Sequence, residues 1–241
     1  MKVYALSDPH LALSAVYDPL KPAQIYKPMD IFGGHWQDYY HQLRHNWLRD
    51  VSREDAVLIP GDISWAMTLD EAKHDFNFLA ALPGQIVLVK GNHDYWWQSI
   101  SRVRAALPAN CYALQHSSII LGGRAVCGSR GWLTPDHPDY HEAEDGKIYA
   151  RELLRLRMAL TEGAQSDLPL VVMLHYPPVS QQGVHNEMLA LLQEFSVQLC
   201  VYGHIHGLSA KHLMEGLHMG IEFVNASCDR LAFQPLLLWE D

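Results

Sequence analysis

The amino-acid sequence predicts an α/β fold in which strands and helices alternate along the chain. Five short apolar runs, rich in valine, isoleucine and leucine, have the composition of buried strands. Stretches with apolar residues at three- and four-residue steps separate several of them and are typical of amphipathic helices. Each apolar run ends on aspartate, asparagine or histidine. Because buried parallel strands deliver such residues to a crevice at the carboxyl edge of a sheet, the pattern predicts a polar site there.

The five strand ends carry oxygen and nitrogen side chains of the types that bind divalent metals. Residues 2–7 lead to Asp8 and His10, residues 56–60 to Asp62, residues 86–89 to Asn92, His93 and Asp94, residues 170–174 to His175, and residues 197–202 to His204 and His206. With one residue between them in an extended segment, Asp8 and His10 point to the same side and could share one ion, and the same holds for His204 and His206. An Asp-Pro turn with an incidental histidine would explain Asp8 and His10 if they stood alone.

A long connection, residues 11–34, follows the first strand and is rich in proline and aromatic residues. Loops of this length in a compact domain are usually functional or disordered. Because it leaves directly from Asp8-Pro9-His10, we expect it to lie beside the metal site as a lid or substrate wall, with Lys21 and Lys27 available to anions. A surface segment packed by its own aromatic side chains is the alternative.

Helices are predicted between the strands from the helical spacing of apolar residues. They cover residues 36–53, 68–81, a stretch ending near residue 106, residues 147–162 and residues 184–195. Thr68 is a typical N-cap for the second of them. His41 and His45 lie four residues apart on the first, and we interpret them as solvated or packing residues because no acid or cysteine completes a metal set. Arginines of the 147–162 helix are interpreted as part of a solvated face.

Residues 95–127 change the pattern. Trp96 and Trp97 could form a platform for a planar leaving group, although packing of at least one into the core is the simpler interpretation. Short apolar runs at residues 111–114, 118–121 and 124–127 then suggest antiparallel strands, with a hairpin turn at Gly122-Gly123. We expect these strands to form a second sheet or one edge of the sheet that carries the ligands.

Arg130 is the candidate substrate-binding residue outside the metal ligands. It lies between Gly128 and Gly131 in an irregular stretch. An arginine beside glycines suits phosphate recognition, because its planar fork grips two oxygens at once. A surface arginine in a turn is the alternative interpretation.

Length and composition indicate one globular domain over residues 1–241, with closing strands near residues 222–226 and 232–239. The chain has a mass of 27.3 kDa, 49 % hydrophobic and 19 % charged residues. A formal net charge of -9 argues against sequence-independent binding to nucleic acid. We expect no signal peptide and no membrane span, buried free thiols at the four scattered cysteines, and a cytoplasmic location.

The five blocks, Asp-x-His, Gly-Asp, Gly-Asn-His-Asp, a single His and Gly-His-x-His, resemble those of the calcineurin-like metallophosphoesterase superfamily, in the same order. The resemblance extends from Asp8 to His206. It implies a β-sandwich flanked by helices in a four-layer α/β/β/α arrangement. It also implies a phosphoesterase that uses two divalent metal ions, for which Mn, Fe and Zn all suit the oxygen and nitrogen ligands.

The resemblance assigns roles to individual residues. Asp8, His10, Asp62 and His206 would hold the first ion, and Asp62 would bridge to a second ion completed by Asn92, His175 and His204. Ions held roughly 3.5–4 Å apart would activate a bridging hydroxide for in-line attack on phosphorus. His93 would be the general acid that protonates the leaving oxygen or stabilises the transition state.

One departure from the superfamily bears on the substrate. Protein phosphatases of this superfamily extend the second block as Gly-Asp-x-x-Asp-Arg-Gly and end the third block on Glu, whereas this chain has Trp65 and Ala66 at the Asp-Arg positions and Asp94 at the end. A phosphoprotein substrate is therefore doubtful. Asp94 is a candidate for orienting His93 only because it is adjacent in sequence.

The leading interpretation is a phosphatase or phosphodiesterase acting on a small-molecule phosphate ester such as a nucleotide. A nuclease of the same superfamily and a non-catalytic metal-binding scaffold are the alternatives. The acidic charge argues against the first alternative, and the complete ligand set argues against the second. The sequence leaves the substrate, the native metals and the oligomeric state open.

Overall fold

Eleven strands and five α-helices make up the regular structure of the residues that the computed structural model describes, which are 1–179, 186–207 and 214–241. The strands are β1 (Lys2–Ala5), β2 (Ala56–Ile59), β3 (Gln85–Leu88), β4 (Cys111–Ala113), β5 (Ser117–Leu121), β6 (Arg124–Gly128), β7 (Leu170–Leu174), β8 (Leu199–Tyr202), β9 (Gly216–His218), β10 (Ile221–Asn225) and β11 (Leu236–Glu240). The helices are α1 (Tyr39–Asp50), α2 (Lys73–Ala80), α3 (Ile100–Ala106), α4 (Glu142–Ala164) and α5 (Glu187–Glu194).

These strands form two mixed sheets. The first has the order β11-β1-β2-β3-β4, with β11 antiparallel to β1 and the other pairs parallel. The second has the order β5-β6-β7-β8-β10-β9, with parallel pairs from β6 to β10 and an antiparallel strand at each edge. The carboxyl ends of the sheets meet where Ser7 pairs with Ser227.

Three apolar clusters separate the layers. Alternate residues of one strand point to opposite faces of its sheet, so Val57 packs towards the helices and Leu58 packs towards the other sheet. The helix side of the first sheet includes Trp47 of α1, and the helix side of the second includes Leu156 of α4. This gives the four-layer α/β/β/α arrangement and confirms the predicted fold class.

Several element predictions need correction, among them the start of α4, which is Glu142 and not Lys147. β4 runs parallel to β3 at the edge of the first sheet, because α3 carries the chain back before β4 begins. Only β5 and β6 form the predicted antiparallel hairpin. Helix α2 begins at Lys73 and not at Thr68, whose hydroxyl instead accepts the Glu71 N–H at 3.2 Å in a preceding turn.

Other expectations about packing are confirmed. Trp96 and Trp97 are both buried, which favours the core interpretation over an exposed platform. The four cysteines are free and buried. The predicted helix at residues 184–195 corresponds to α5, and its predicted start at residues 184–185 lies outside the described residues.

The long connection after β1 has little regular structure. It contains two single 3₁₀ turns, Asp30–Phe32 and Gly34–Trp36, and isolated bridges from Leu11 to Ser64 and from Leu13 to Ile25. Its aromatic residues pack with α1, as Tyr17 does when its hydroxyl pairs with His41 Nδ1 at 2.6 Å. Its end also reaches the carboxyl edge of the sheets, where it forms part of the site.

Candidate metal centre

The seven predicted metal ligands converge from both sheets onto the carboxyl edge. Asp8 and His10 follow β1, Asp62 follows β2, Asn92 follows β3, His175 follows β7, and His204 and His206 follow β8. Parallel strands place these loops at one edge, which explains how residues almost two hundred positions apart become neighbours.

Asp8, His10 and His206 form the first group of candidate ligands. One ligand atom from each lies within 4.8 Å of the others. The Nε2 atoms of His10 and His206 are 3.2 Å apart, and Asp8 Oδ1 lies 3.8 Å from His206 Nε2. Asp62 Oδ2 lies 3.7 Å from His10 Nε2, so the fourth residue assigned to this ion by the resemblance is adjacent.

Asp8, Asp62 and His175 form the second group, again with ligand atoms within 4.8 Å of one another. Asn92 Oδ1 lies 2.6 Å from His175 Nε2, and Asp62 Oδ1 lies 3.6 Å from the same nitrogen. The ring centroids of His204 and His175 are 4.9 Å apart. All four residues assigned to the second ion therefore lie together.

Four of these ligands adopt a left-handed backbone conformation. The φ angles are 58° at Asp8, 46° at His10, 50° at Asp62 and 71° at His204. Such conformations are disfavoured for residues with a Cβ, and they persist where the surrounding structure holds them, most often at functional sites.

Two glycines permit the loops to approach each other closely. A Cβ at Gly91 would overlap the backbone nitrogen and carboxylate of Asp62, and one at Gly203 would overlap Ser7 Oγ and Asp8 Oδ2. The glycines of the Gly-Asn-His-Asp and Gly-His-x-His blocks are thus required by the packing of the carboxylates.

A family model described as calcineurin-like phosphoesterase matches residues 1–208. The chain belongs to this family. A crystal structure of a protein of unknown function from Aquifex aeolicus, AQ665, is similar in fold, with a TM-score of 0.53 and 16 % identity over 98 % of this chain and 95 % of that one. Among curated proteins no sequence matches the chain. None of the helices in the described ranges is long and apolar enough to cross a membrane.

The donor set fits the divalent metals on which the calcineurin-like phosphoesterase family depends. His175 Nδ1 lies 2.9 Å from the Pro60 carbonyl, so this nitrogen carries the proton and donates it. Burial lowers the pKa of His175, which leaves Nε2 as a bare acceptor. Two acceptors, Nε2 and Asn92 Oδ1, therefore face each other at 2.6 Å, an arrangement that a cation between them stabilises.

Burial also dominates the pKa shifts of three other ligands, His10, His204 and Asp62. It lowers the pKa of His10 well below its usual value and the pKa of His204 to about 2, which keeps both imidazoles neutral as metal ligation requires. It raises the pKa of Asp62 to about 7. A cation beside the Asp62 carboxylate would act in the opposite direction and favour its ionised form.

Asp229 is a residue of this site that the sequence analysis missed. Its Oδ1 lies 3.1 Å from His206 Nδ1, and its Oδ2 accepts the Gly207 N–H at 2.8 Å. A carboxylate on Nδ1 leaves Nε2 free to bind a metal and fixes the ring orientation. The signal was available, because Asp229 follows β10 as the predicted ligands follow their strands.

His93 lies at the edge of the candidate centre. Its backbone N–H donates to Asp62 Oδ1 at 2.8 Å, and its ring centroid is 4.3 Å from that of Trp65 and 5.6 Å from that of His10. Its Nδ1 is buried and has no hydrogen-bond partner within the described ranges. Burial lowers the pKa of His93 to about 4.

Trp65 stands where protein phosphatases of the superfamily have an aspartate, and its ring packs against His10 and His93. It stacks on His10 with ring centroids 4.9 Å apart and also contacts His93. The ammonium of Lys27 lies 3.2 Å from the Trp65 ring centroid, which brings this lysine of the long connection to the site, as expected. Lys21 instead pairs with Asp18 at 2.9 Å.

Asp94 ties the neighbouring loops together. Its Oδ1 accepts the N–H groups of Ile63 and Ser64 and Nε1–H of Trp96 at 2.9–3.0 Å, and its Oδ2 accepts the Gly91 N–H at 2.7 Å. Among the described residues no hydrogen bond joins Asp94 to His93. The side chain joins the backbone that follows Asp62 to the loop after β3, which is a different task from the orientation of His93 proposed from adjacency.

A cavity of about 320 Å³ opens beside the candidate centre. Its wall combines imidazoles of the site with apolar side chains of the long connection and its surroundings: His10, Met29, Phe32, His35, Trp36, Trp65, His93 and His206. The connection therefore forms one wall of the cavity, as one of the two interpretations predicts. Arg130 lines a different cavity, and its predicted contact with substrate stays a prediction.

Proposed function

We propose that this protein hydrolyses a phosphate mono- or diester of a small molecule with the help of two divalent metal ions, with Mn, Fe and Zn as candidates. The observation that carries the proposal is the pair of facing acceptors, His175 Nε2 and Asn92 Oδ1, inside a buried set of carboxylates and neutral imidazoles. Membership of the calcineurin-like phosphoesterase family supports a metal-dependent phosphoesterase.

In the proposed arrangement Asp62 is shared by two sets of ligands. Its Oδ2 lies 3.7 Å from Nε2 of His10, which belongs to the first set, and its Oδ1 lies 3.6 Å from Nε2 of His175, which belongs to the second. When bound, two cations would polarise the phosphoryl oxygens and lower the pKa of a water molecule.

His93 is placed to act on the leaving group. It lines the cavity without belonging to either ligand group, and packing against Trp65 fixes its ring. In the proposed reaction it donates a hydrogen bond or a proton to the oxygen that leaves phosphorus. Met29, Phe32 and Trp36 would contact the organic part of that leaving group.

A small molecule is the preferred substrate class for two reasons. The cavity beside His93 measures about 320 Å³, which matches the lower end of small-molecule sites. The net charge of -9 disfavours a long polyanion such as nucleic acid. Screening the metal-loaded protein against phosphate mono- and diesters, with single-stranded and duplex DNA included, tests this choice against the nuclease alternative.

The assignment of His93 is tested by His93→Asn. The variant should retain its metal ions, because His93 is not among the candidate ligands, and should hydrolyse esters roughly 10²–10⁴-fold more slowly. The loss should shrink for esters with acidic leaving groups, since these need little protonation. Equal losses across the series would assign His93 to transition-state charge stabilisation, and loss of metal would make it a ligand.

A further inference from the structure

A second cavity, of about 170 Å³, is lined by Arg130, whose carbonyl accepts the His175 N–H. Four cationic side chains line it: Lys90 after β3, Arg130 after β6, and Arg151 and Arg155 on α4. We call this group the basic cavity. In a protein whose net charge is -9, such a concentration of positive charge is a local departure from the rest of the chain.

The charges in the basic cavity are only partly compensated. Buried Glu152 faces all three arginines: its Oε1 lies 2.7 Å from Arg155, 3.6 Å from Arg151 and 3.8 Å from Arg130. Its Oε2 accepts the Ser129 hydroxyl at 3.0 Å. One carboxylate therefore faces three guanidinium groups.

Arg130 offers an unused donor to this cavity. Its side chain is only 14 % exposed, and its guanidinium lies 4.2 Å from the ring centroid of Trp132. Its buried Nε has no hydrogen-bond partner among the residues that the structure describes. Buried donors without partners are uncommon and destabilising, so the described part of the chain does not satisfy this guanidinium fully. Because its side chain is largely buried, Arg130 is not the surface turn residue of the alternative interpretation.

We propose that the basic cavity binds a phosphate group, as a site separate from the metal centre. Guanidinium forks and an ammonium are the donors that recognise tetrahedral oxyanions, and three arginines converging on one cavity exceed what Glu152 requires. The expectation that the α4 arginines form a solvated face fits Arg157, which is exposed and pairs with Glu194, but not Arg155, which pairs with buried Glu152.

Backbone hydrogen bonds and adjacency in sequence connect the basic cavity to the metal centre. The Arg130 carbonyl accepts the N–H groups of His175 and Tyr176, both at 3.0 Å. Lys90 directly precedes Gly91-Asn92. The phosphate bound here has two candidate sources. It is either a second anionic group of the substrate or free phosphate that binds away from the metal centre and changes the reaction rate. Both sources present the same oxyanion to the same donors.

Calorimetric titration of the metal-loaded protein with inorganic phosphate tests the site without any turnover. Two phosphates per chain are expected, one at each site. Arg130→Gln and Arg151→Gln should each weaken the basic-cavity site by roughly 10- to 100-fold and leave the other unchanged. Arg151 is half-exposed and its replacement leaves the Glu152–Arg155 pair intact, which guards against misfolding. Arg157→Gln, on the same helix, is the matched control and should bind as the parent does.

The outcomes separate this proposal from the proposed function. If the metal centre is misassigned, the protein binds a single phosphate, which Asp62→Asn retains and the arginine variants lose. A single phosphate that is lost in Asp62→Asn and retained in both arginine variants overturns the basic cavity as a site. With an ester that carries a second phosphate, a raised KM in Arg130→Gln identifies the substrate as the source, and a changed response to added phosphate identifies free phosphate.

Discussion

Asp229→Asn is the substitution that best separates the metal-binding geometry from the chemistry. The carboxylate performs two tasks, because Oδ1 faces His206 Nδ1 at 3.1 Å and Oδ2 accepts the Gly207 N–H at 2.8 Å. An asparagine amide has a single acceptor oxygen and can perform only one of them.

Both orientations of the new amide weaken metal binding. If its oxygen faces Gly207, its NH₂ faces His206 Nδ1 and forces the proton onto Nε2, the atom needed as a ligand. If its oxygen faces His206, the Gly207 N–H loses its acceptor, at a cost of about 1–3 kcal/mol. Loss of such a carboxylate typically lowers metal affinity by roughly 10–100-fold, or about 1.4–2.8 kcal/mol, which agrees with this range.

Competition with a chromophoric chelator measures the affinity directly. Asp55→Asn is the matched control, because Asp55 is also a buried carboxylate that accepts backbone N–H groups, from Lys2 and Ser52, but at the opposite end of β2. It should lower the free energy of unfolding without changing metal affinity. Equal metal affinity in Asp229→Asn and the parent protein would refute the role assigned to Asp229.

Two further substitutions test the centre. Asp62→Asn removes the charge shared by the two ligand sets, and elemental analysis should find fewer than two ions per chain with activity lost; full occupancy with normal turnover would reject the bridging assignment. Gly91→Ala places a Cβ on Asp62 and should reduce both metal content and melting temperature, whereas Gly34→Ala, whose Cβ would meet no atom within 4 Å, should change neither; a Gly91→Ala protein with the parent's metal content would contradict the close-packing argument.

The sequence predicts the position of most ligands because each one directly follows a strand. A buried strand is recognisable from a few consecutive residues, and the parallel arrangement then fixes which edge its end reaches. The location of Asp8, Asp62 and His175 therefore requires no knowledge of side-chain contacts.

Contacts between distant segments were not predictable in this way. The packing of Trp65 on His93 depends on how the loop after β2 faces the loop after β3, and the direction of β4 depends on the path of α3. The pairing of Glu152 with Arg130 joins α4 to the loop after β6. No local pattern in the sequence encodes these distances, since they follow from the packing of whole layers.

Metal removal should leave the fold intact, because hydrogen bonds within the chain hold the ligands in their strained conformations. Asp94 accepts the N–H of Ile63, next to Asp62, and the N–H of Gly91 in the loop after β3. Asp8 accepts from the His204 N–H at 3.0 Å and from the Ser227 hydroxyl at 3.1 Å. Chelation should therefore preserve the far-ultraviolet circular dichroism spectrum. It should lower the melting temperature by about 11–22 °C, since each of two ions at a hundred times its Kd contributes about 2.7 kcal/mol and 1 kcal/mol shifts a domain of this size by about 2–4 °C. Asp62→Asn should show a smaller shift on chelation. A spectrum of an unfolded chain after chelation would contradict the argument, because it would mean that the ions, and not the chain, organise these loops.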